Sequence, residues 1–398
     1  MSPRPEQPEL VRAAAELVPL VVESADDIER SGRLPASIVE KLSATGLYHL
    51  FLPASAGGPE ADPLSGMLAI ETLARADASV AWCAHVSSAN AWLLATLAPE
   101  TVAEMAGTAG TAGTAAGAAW RMSGSARPRG RARRVAGGFR VSGQWDFASN
   151  CLHARWYSGT CMTEERDRPT RARTLIFPMS EATIIETWQV TGMRGTGSHD
   201  VAVADIFVPE ERVSAGRHLA LQHGRLYQPR LTMVLNWALT AAVALGVARG
   251  ALDAFAELAQ DSTAGETEIP LRQRAEVQRA VGRAEALLGA ARSYCLHSVR
   301  DIWETAEPGD SHEGRGGAEL DRLVLDARLA ITHAMHTAVE VVDLLFHAGG
   351  TRSIFHRHHL ERRFRDAHVA LRHGAGSANH FEAGGRITLG LPAAAPFW

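Results

Sequence analysis

A chain of 398 residues that is 46% hydrophobic and 21% charged carries enough apolar material for a large core shared by two or three domains. Forty Lys and Arg against 44 Asp and Glu leave a formal charge of -4, which argues against a dedicated nucleic-acid binder. Cys83, Cys151, Cys161 and Cys295 stand far apart with no CxxC pair, so neither a zinc site nor a disulfide framework is expected, and a reducing cytoplasm is the expected compartment.

The first ten residues are polar and Pro-rich, unlike a secretory signal. From Glu9 to about Leu97 the pattern is helical, with Met67, Ile70, Leu73 and Ala74 on one face. Gly57-Gly58-Pro59 and Asp62-Pro63 separate the helices, and Pro99 can open a further short one. Ala106 to Ala119 is almost entirely Gly, Ala and Thr and is predicted to be a flexible loop. From Trp120 to Val213 the period changes. Phe139 and Val141 alternate with polar neighbours, and short strands are predicted at Arg173–Pro178, Ala182–Trp188 and Asp200–Val208. The basic run Arg129 to Arg134 reads as a solvated turn.

Helical spacing returns at about Leu226. Trp237 to Ala248 is a strongly apolar run of 12 residues, too short to span a bilayer and suited to a buried core helix. Val277, Val281, Ala284, Leu288, Ala291, Cys295, Val299 and Ile302 mark one long helix face. Leu325, Leu329, Thr332, Met335, Val339, Val342 and Phe346 mark a second, with a polar, Gly-rich link from Pro308 to Gly317 between them. The expected organisation is a helical domain over 1–119, a middle β domain over 120–225 and a helix bundle over 226–398. Helices, strands and helices in that order do not make a doubly wound fold, and no GxGxxG follows a strand into a helix, so a nucleotide-containing cofactor would have to be held another way. His333 with His336, and His356, His358 and His359, lack the partners that a metal site needs. The Arg-rich stretch from Arg352 to Arg365 is expected to make interface salt bridges.

Three motifs carry a family resemblance. Gly192 to Asp200, running into Phe207-Val208-Pro209, resembles the segment that closes the β domain of the acyl-CoA dehydrogenase superfamily. Gln144 to Ser149 resembles the strand lying against its flavin, and Ala348-Gly349-Gly350 with Leu360-Glu361-Arg362 and Arg365-Asp366 resembles its C-terminal signature. The implied fold is mainly α with a central β domain: an N-terminal helical domain, a β-barrel-like middle domain and a C-terminal four-helix bundle. A dehydrogenase of this family removes an α-proton with a Glu, but the matching position here is Gly374, preceded by His373, and the alternative position falls on or near Pro229. Neither can act as a general base; Glu382 is the nearby carboxylate. The remainder resembles the flavin-dependent monooxygenase branch: His373, the Arg194–Ser198 phrase, and the Ala81-Trp82 pair followed by Trp92.

That resemblance implies reduced FAD or FMN and dioxygen, a C4a-hydroperoxide, and C- or N-hydroxylation of a small organic molecule, aromatic or a natural product. His373 and Ser149 become the catalytic candidates, Ser149 by holding the proton at flavin N5 and His373 by polarising dioxygen, donating to the peroxide or deprotonating a substrate hydroxyl. Ser123 and Ser125 would line the pocket, Trp145 would pack on the ring with Phe147 beside it, and Arg194, Thr196 and Ser198 would bind the cofactor, the last two offering donors to a phosphate. Gly349 and Gly350 would let backbone approach a neighbouring subunit's cofactor, in a homotetramer. Many aromatic hydroxylases of the branch carry a His where this chain has Asn90; His85 is the substitute, and Trp237 joins these two as a pocket candidate. With no NAD(P)H motif, a separate NAD(P)H:flavin reductase is the implied partner. No membrane or nucleic acid is implied, and an acyl-CoA dehydrogenase-like oxidase is the competing reading.

Overall fold

The computed structural model describes residues 9–108, 119–164, 169–214, 224–261, 269–306 and 316–392. Five helices come first: α1 (Glu9–Ser31), α2 (Ala36–Ala44), α3 (Pro63–Ala76), α4 (Ala78–Ala91) and α5 (Pro99–Thr108). Asp62 caps α3 by accepting from the Ser65 N–H at 2.9 Å, with Pro63 at the first position, where a missing N–H costs nothing. Asp77 ends α3 and caps α4 through the Val80 N–H at 3.0 Å. Helix α5 runs further than expected, taking Ala106–Thr108 out of the predicted loop. Alanine favours the helix, and buried Val102 and Met105 anchor it. Ala119 is buried, and the rest of that loop, residues 109–118, lies outside the described residues.

Six strands follow: β1 (Met122–Val135), β2 (Gly138–Trp145), β3 (Trp156–Glu164), β4 (Arg171–Pro178), β5 (Thr183–Ile185) and β6 (Asp200–Pro209). They form one sheet in the order β4-β3-β1-β2-β6-β5, antiparallel except for β1 with β3. The run Arg129–Arg134 is a strand rather than a turn. Gly130 and Ala132 are buried and alternate with exposed Arg131 and Arg133, Arg131 pairing with Glu164; Arg134, where the alternation ends near the close of the strand, is exposed and pairs with Glu210. Gly130 is required: a Cβ there would lie 2.4 Å from both Cys161 Sγ and the Trp145 ring. The strand expected over Ala182–Trp188 shrinks to β5. Beyond Ile185, the Thr187 hydroxyl bonds Asp200, and the Trp188 N–H goes to His199 Nδ1 instead of a ladder partner.

The bundle comprises α6 (Pro229–Asp261), α7 (Ala275–Thr305), α8 (Gly316–Gly349), α9 (Leu360–Ala370) and α10 (Asn379–Thr388). On α7 the expected face is buried from Val277 to Ile302, with Val281 half-buried against the core. Gly316 and Gly317 already belong to α8; residues 307–315 of the predicted link lie outside the described residues. The apolar run Trp237–Ala248 is the middle of a 33-residue helix. By length and composition Arg230–Gln260 and Glu319–Ile354 are long enough to cross a membrane, but 83% and 61% of their most apolar windows are buried inside the protein.

Helix α9 ties the bundle to the N-terminal helices. The Arg363 guanidinium donates to the carbonyls of Ala74, Arg75 and Ala76 at 3.4, 2.9 and 2.6 Å, which are orphan acceptors at the C-terminus of α3. Arg362 pairs with Asp26 and Arg365 with Glu29, so these arginines bridge elements within the chain. Arg363→Met is expected to lower the unfolding free energy by about 2–3 kcal/mol, since it leaves several partly buried carbonyls unpaired; an unchanged urea midpoint would contradict this.

Candidate active site

Strand β2 ends in a turn built on two left-handed residues, Phe147 (φ 57°) and Asn150 (φ 68°). The turn exposes the Phe147 ring to 56% and turns Ser149 inward. It is laced to the segment before β6: the Ala148 N–H donates to His199 O and the Asn150 N–H to Thr196 O, both at 2.9 Å. The Asn150 side chain accepts from the Tyr48 hydroxyl at 3.1 Å and donates to Met122 O at 3.0 Å, and Ser123 Oγ donates to Ser149 O at 2.8 Å.

Ser149 Oγ accepts from Trp82 Nε1 at 3.1 Å and lies 2.6 Å from Ser198 Oγ. Ser198 Oγ is in turn 2.7 Å from Thr196 Oγ1, which donates to Met193 O at 2.8 Å. Expected to face a phosphate, the Thr196 and Ser198 hydroxyls turn inward instead, because left-handed Met193 and Gly197 wrap a tight turn about Arg194–Thr196. Arg194 is exposed and, with Arg30, Arg33, Trp188 and His199, lines a cavity of about 190 Å³. Buried Asp366 of α9 fixes the turn from the other side, accepting the Met193 N–H at 2.5 Å. Burial, then the neighbouring Asp77, pushes its carboxyl up to about 7.

Three rings meet beside Ser149. Trp82 stacks on His85 at 5.4 Å, and His373 stands edge-on to Trp82 at 5.4 Å and to His85 at 6.5 Å. His85 Nε2 lies 2.6 Å from Thr240 Oγ1, and its Nδ1 is buried without a partner. His373 Nδ1 accepts the Ala375 N–H at 3.2 Å, so the neutral ring carries its proton on Nε2. Burial, with a smaller effect of the Arg127 charge, lowers His373 to about 4; burial and then His373 lower His85 to about 3. Both are neutral at pH 7, and His373 presents a donor there rather than a base.

Other candidates lie elsewhere. Trp145 is fully buried in the sheet core, its indole donating to Thr160 O at 2.9 Å and packed on Tyr157 and Phe177; the exposed ring of this segment is Phe147, with the Arg127 guanidinium over it at 5.1 Å and Trp188 edge-on at 6.1 Å. Ser125 accepts the Arg127 N–H at 3.4 Å near the tip of β1. Asn90 donates to Val86 O at 2.8 Å and accepts from Ser158 at 2.5 Å, which gives it a structural role between α4 and β3. Trp237 lies against His380 at 5.0 Å with the Arg328 guanidinium over its ring at 4.6 Å. A Cβ on Gly349 would meet Ser353 Oγ at 2.1 Å, and Gly350 is left-handed just after α8. Glu382 is exposed on α10. Among the described residues no three His, Cys, Asp or Glu converge on a metal site. The sequence shows Trp82 only as part of the branch's motif, without a site role, and does not single out Thr240. The Trp82–His85 spacing of three residues on one helix, and a hydroxyl inside an otherwise apolar run, were the available signals.

An exposed ring, a hydroxyl two residues later and a neutral imidazole donor fit a planar redox cofactor with an edge nitrogen. Comparison with known proteins identifies the frame. Residues 4–105 match the family described as "Acyl-CoA dehydrogenase, N-terminal domain" and residues 238–377 match "Acyl-CoA dehydrogenase, C-terminal domain". The indole-3-acetate monooxygenase of Pseudomonas putida is 29% identical, over 87% of this chain and 85% of its own. The oxygenase component of the FADH(2)-dependent resorcinol hydroxylase of Rhizobium sp. is 28% identical, over 92% of this chain and 90% of its own. The crystal structure of 3-HSA hydroxylase from Rhodococcus sp. RHA1 superposes with a TM-score of 0.85 at 26% identity, covering 98% of this chain and 99% of that one. The chain belongs to the acyl-CoA dehydrogenase superfamily, in its flavin-dependent monooxygenase branch.

Proposed function

We propose that the chain is the oxygenase component of a two-component monooxygenase, using reduced FAD or FMN and dioxygen to hydroxylate a small aromatic or related organic substrate. Similarity to oxygenases along nearly the whole chain supports this reading. The carrying observation is the convergence of Ser149, with its hydroxyl chain, and His373, with its proton on Nε2, around Trp82. Reduced flavin, when bound, supplies the electrons for dioxygen activation. Phe147 offers the ring a face, Ser149 serves its N5 edge, Ser123 braces Ser149 from behind, and Arg194, beside Arg30 and Arg33, offers a cation to a phosphate. His373 donates from Nε2 to reacting oxygen, and the apolar helices around it keep water out.

His85 Nδ1 and Asn236 Oδ1 are buried without partners, which suits a substrate carrying hydroxyl or N–H groups. Trp237 and Thr240 share α6 with Asn236 and complete the proposed pocket. The exposed side chains of Ile354, Phe355, Phe381, Leu389 and Leu391 support self-association, which we take to be a homotetramer. Four buried free cysteines suit a reducing cytoplasm. The oxygenase-component relatives support a separate NAD(P)H:flavin reductase as partner. A dehydrogenase reading would need a carboxylate at Gly374.

Supplying chemically reduced flavin, ¹⁸O₂ and a panel of phenols and indoles tests the proposal. One labelled oxygen per product is expected. Hydrogen peroxide alone across the panel, together with bleaching of protein-bound oxidised flavin by an acyl-CoA, would replace it with the dehydrogenase.

A further inference from the structure

Each hydroxyl in the chain from Ser149 to Met193 has a single proton, and the chain ends on a group that cannot donate. Thr196 spends its proton on the Met193 carbonyl, so the Thr196–Ser198 contact must take its proton from Ser198. Ser198 then has none left, and the Ser149–Ser198 contact takes its proton from Ser149. Trp82 Nε1, a donor only, occupies one acceptor position on Ser149. What Ser149 has left is a lone pair.

The Met193 peptide is held on both sides, its N–H by Asp366 and its carbonyl by Thr196 and by Trp188 Nε1 at 3.2 Å, so the terminus of the relay does not rotate away. Ser149, Ser198 and Thr196 are 7%, 3% and 2% exposed, so water does not readily supply alternative partners. Reversing the chain would leave two hydroxyl protons directed at each other, or would turn the Thr196 proton to Ser198 and leave the Met193 carbonyl only its weaker Trp188 Nε1 and Thr196 N–H donors, each at 3.2 Å.

We propose that Thr196 and Ser198 are positioning residues whose hydroxyls lock Ser149 as a hydrogen-bond acceptor toward flavin N5, so that the site selects reduced flavin over oxidised flavin. Reduced flavin carries a hydrogen on N5 and finds an acceptor; oxidised flavin has a bare N5 and meets a lone pair. The inference rests on the placement of Ser149 at N5 proposed above. It gives the Arg194–Ser198 turn a role in redox-state choice that is separate from any contact with a phosphate.

Anaerobic titration of the purified chain with reduced and with oxidised FMN and FAD gives two dissociation constants, whose ratio reads the selection without turnover. Wild type is expected to bind reduced flavin at least tenfold more tightly. In Ser198→Ala the Ser149 proton is released to point at N5, and the ratio is expected to fall about tenfold, mostly through tighter binding of oxidised flavin. Thr196→Val frees the Ser198 proton to turn to Ser149 and should shift the ratio in the same direction. Ser149→Ala should weaken reduced flavin while leaving oxidised flavin nearly unchanged. Thermal melts of all variants establish that they fold, and a folding defect would weaken both redox states together. A ratio unchanged in both Ser198→Ala and Thr196→Val, with Ser149→Ala still weakening reduced flavin, would overturn the relay and leave the flavin site standing. No flavin binding by folded wild type would remove the flavin site itself.

Discussion

Replacing His373 with alanine is expected to lower product formation by about 10²–10⁴-fold, the span of a lost proton donor. The residue is at the start of a short turn after α9, where its Nδ1 is occupied by the Ala375 N–H and its Nε2–H is directed by that bond. A positioned neutral donor, not a titrating base, is what this arrangement offers. Asn at the same position keeps an N–H donor and should recover part of the loss. Because burial lowers the imidazole to about 4, wild-type activity should show no limb from His373 between pH 6 and 8. A limb with a midpoint near 6.5 that disappears in His373→Ala would contradict the neutral-donor assignment.

Acid stability is the second large effect. His49 and His85 are each 4% exposed, and burial lowers them to about 4 and about 3. A histidine held below its unfolded value near 6.5 stabilises the fold fully above pH 6.5, and that stability is lost as pH falls toward the folded value. At pH 5 each residue costs about 2 kcal/mol relative to pH 8, or about 4 kcal/mol together, a large share of a typical 5–15 kcal/mol. Asp366, raised by burial, acts in the opposite direction, losing stability as pH rises from about 4 to 7, so the wild-type curve alone does not isolate the histidines. The isolating measurement is urea unfolding of wild type and of His49→Gln/His85→Gln at pH 8 and pH 5. The double variant should narrow the difference between the two pH values by about 4 kcal/mol. An unaltered difference would show that these imidazoles are not buried in their neutral form.

Much of the architecture was legible because the hydrophobic period changes twice along the chain. Rows such as Val277 to Ile302 read as buried helix faces, and apart from half-buried Val281 they are buried. The motif residues Ser149, Thr196 and Ser198 were legible as a group, but their directions were not. Those depend on Met193, Phe147, Asn150 and Gly197 being left-handed, and only one of these is a glycine. The same effect decides which aromatic side chain is exposed. Trp145 is the last residue of β2 and points into the sheet, and the left-handed turn after it breaks the strand's alternation and presents Phe147. Arg129 to Arg134 looked like a turn because charge masked a strand whose inward positions are as small as Gly130 and Ala132. Asn90 looked like a substrate contact because sequence position alone does not show that its amide is already shared between Val86 and Ser158. Thr240 emerges only when α4 and α6 are brought together, and the contact of the motif residue Trp82 with Ser149 only when α4 meets the turn after β2.

The claim that most needs testing is that this site holds reduced flavin and controls its reaction with dioxygen. The direct measurement is stopped-flow absorbance after mixing anaerobic protein and reduced FMN or FAD with oxygenated buffer, without substrate. The account predicts that return of the oxidised-flavin spectrum lags well behind that of free flavin, and that Ser149→Ala or His373→Ala abolishes the lag. Reoxidation in wild type at the rate of free flavin would contradict it.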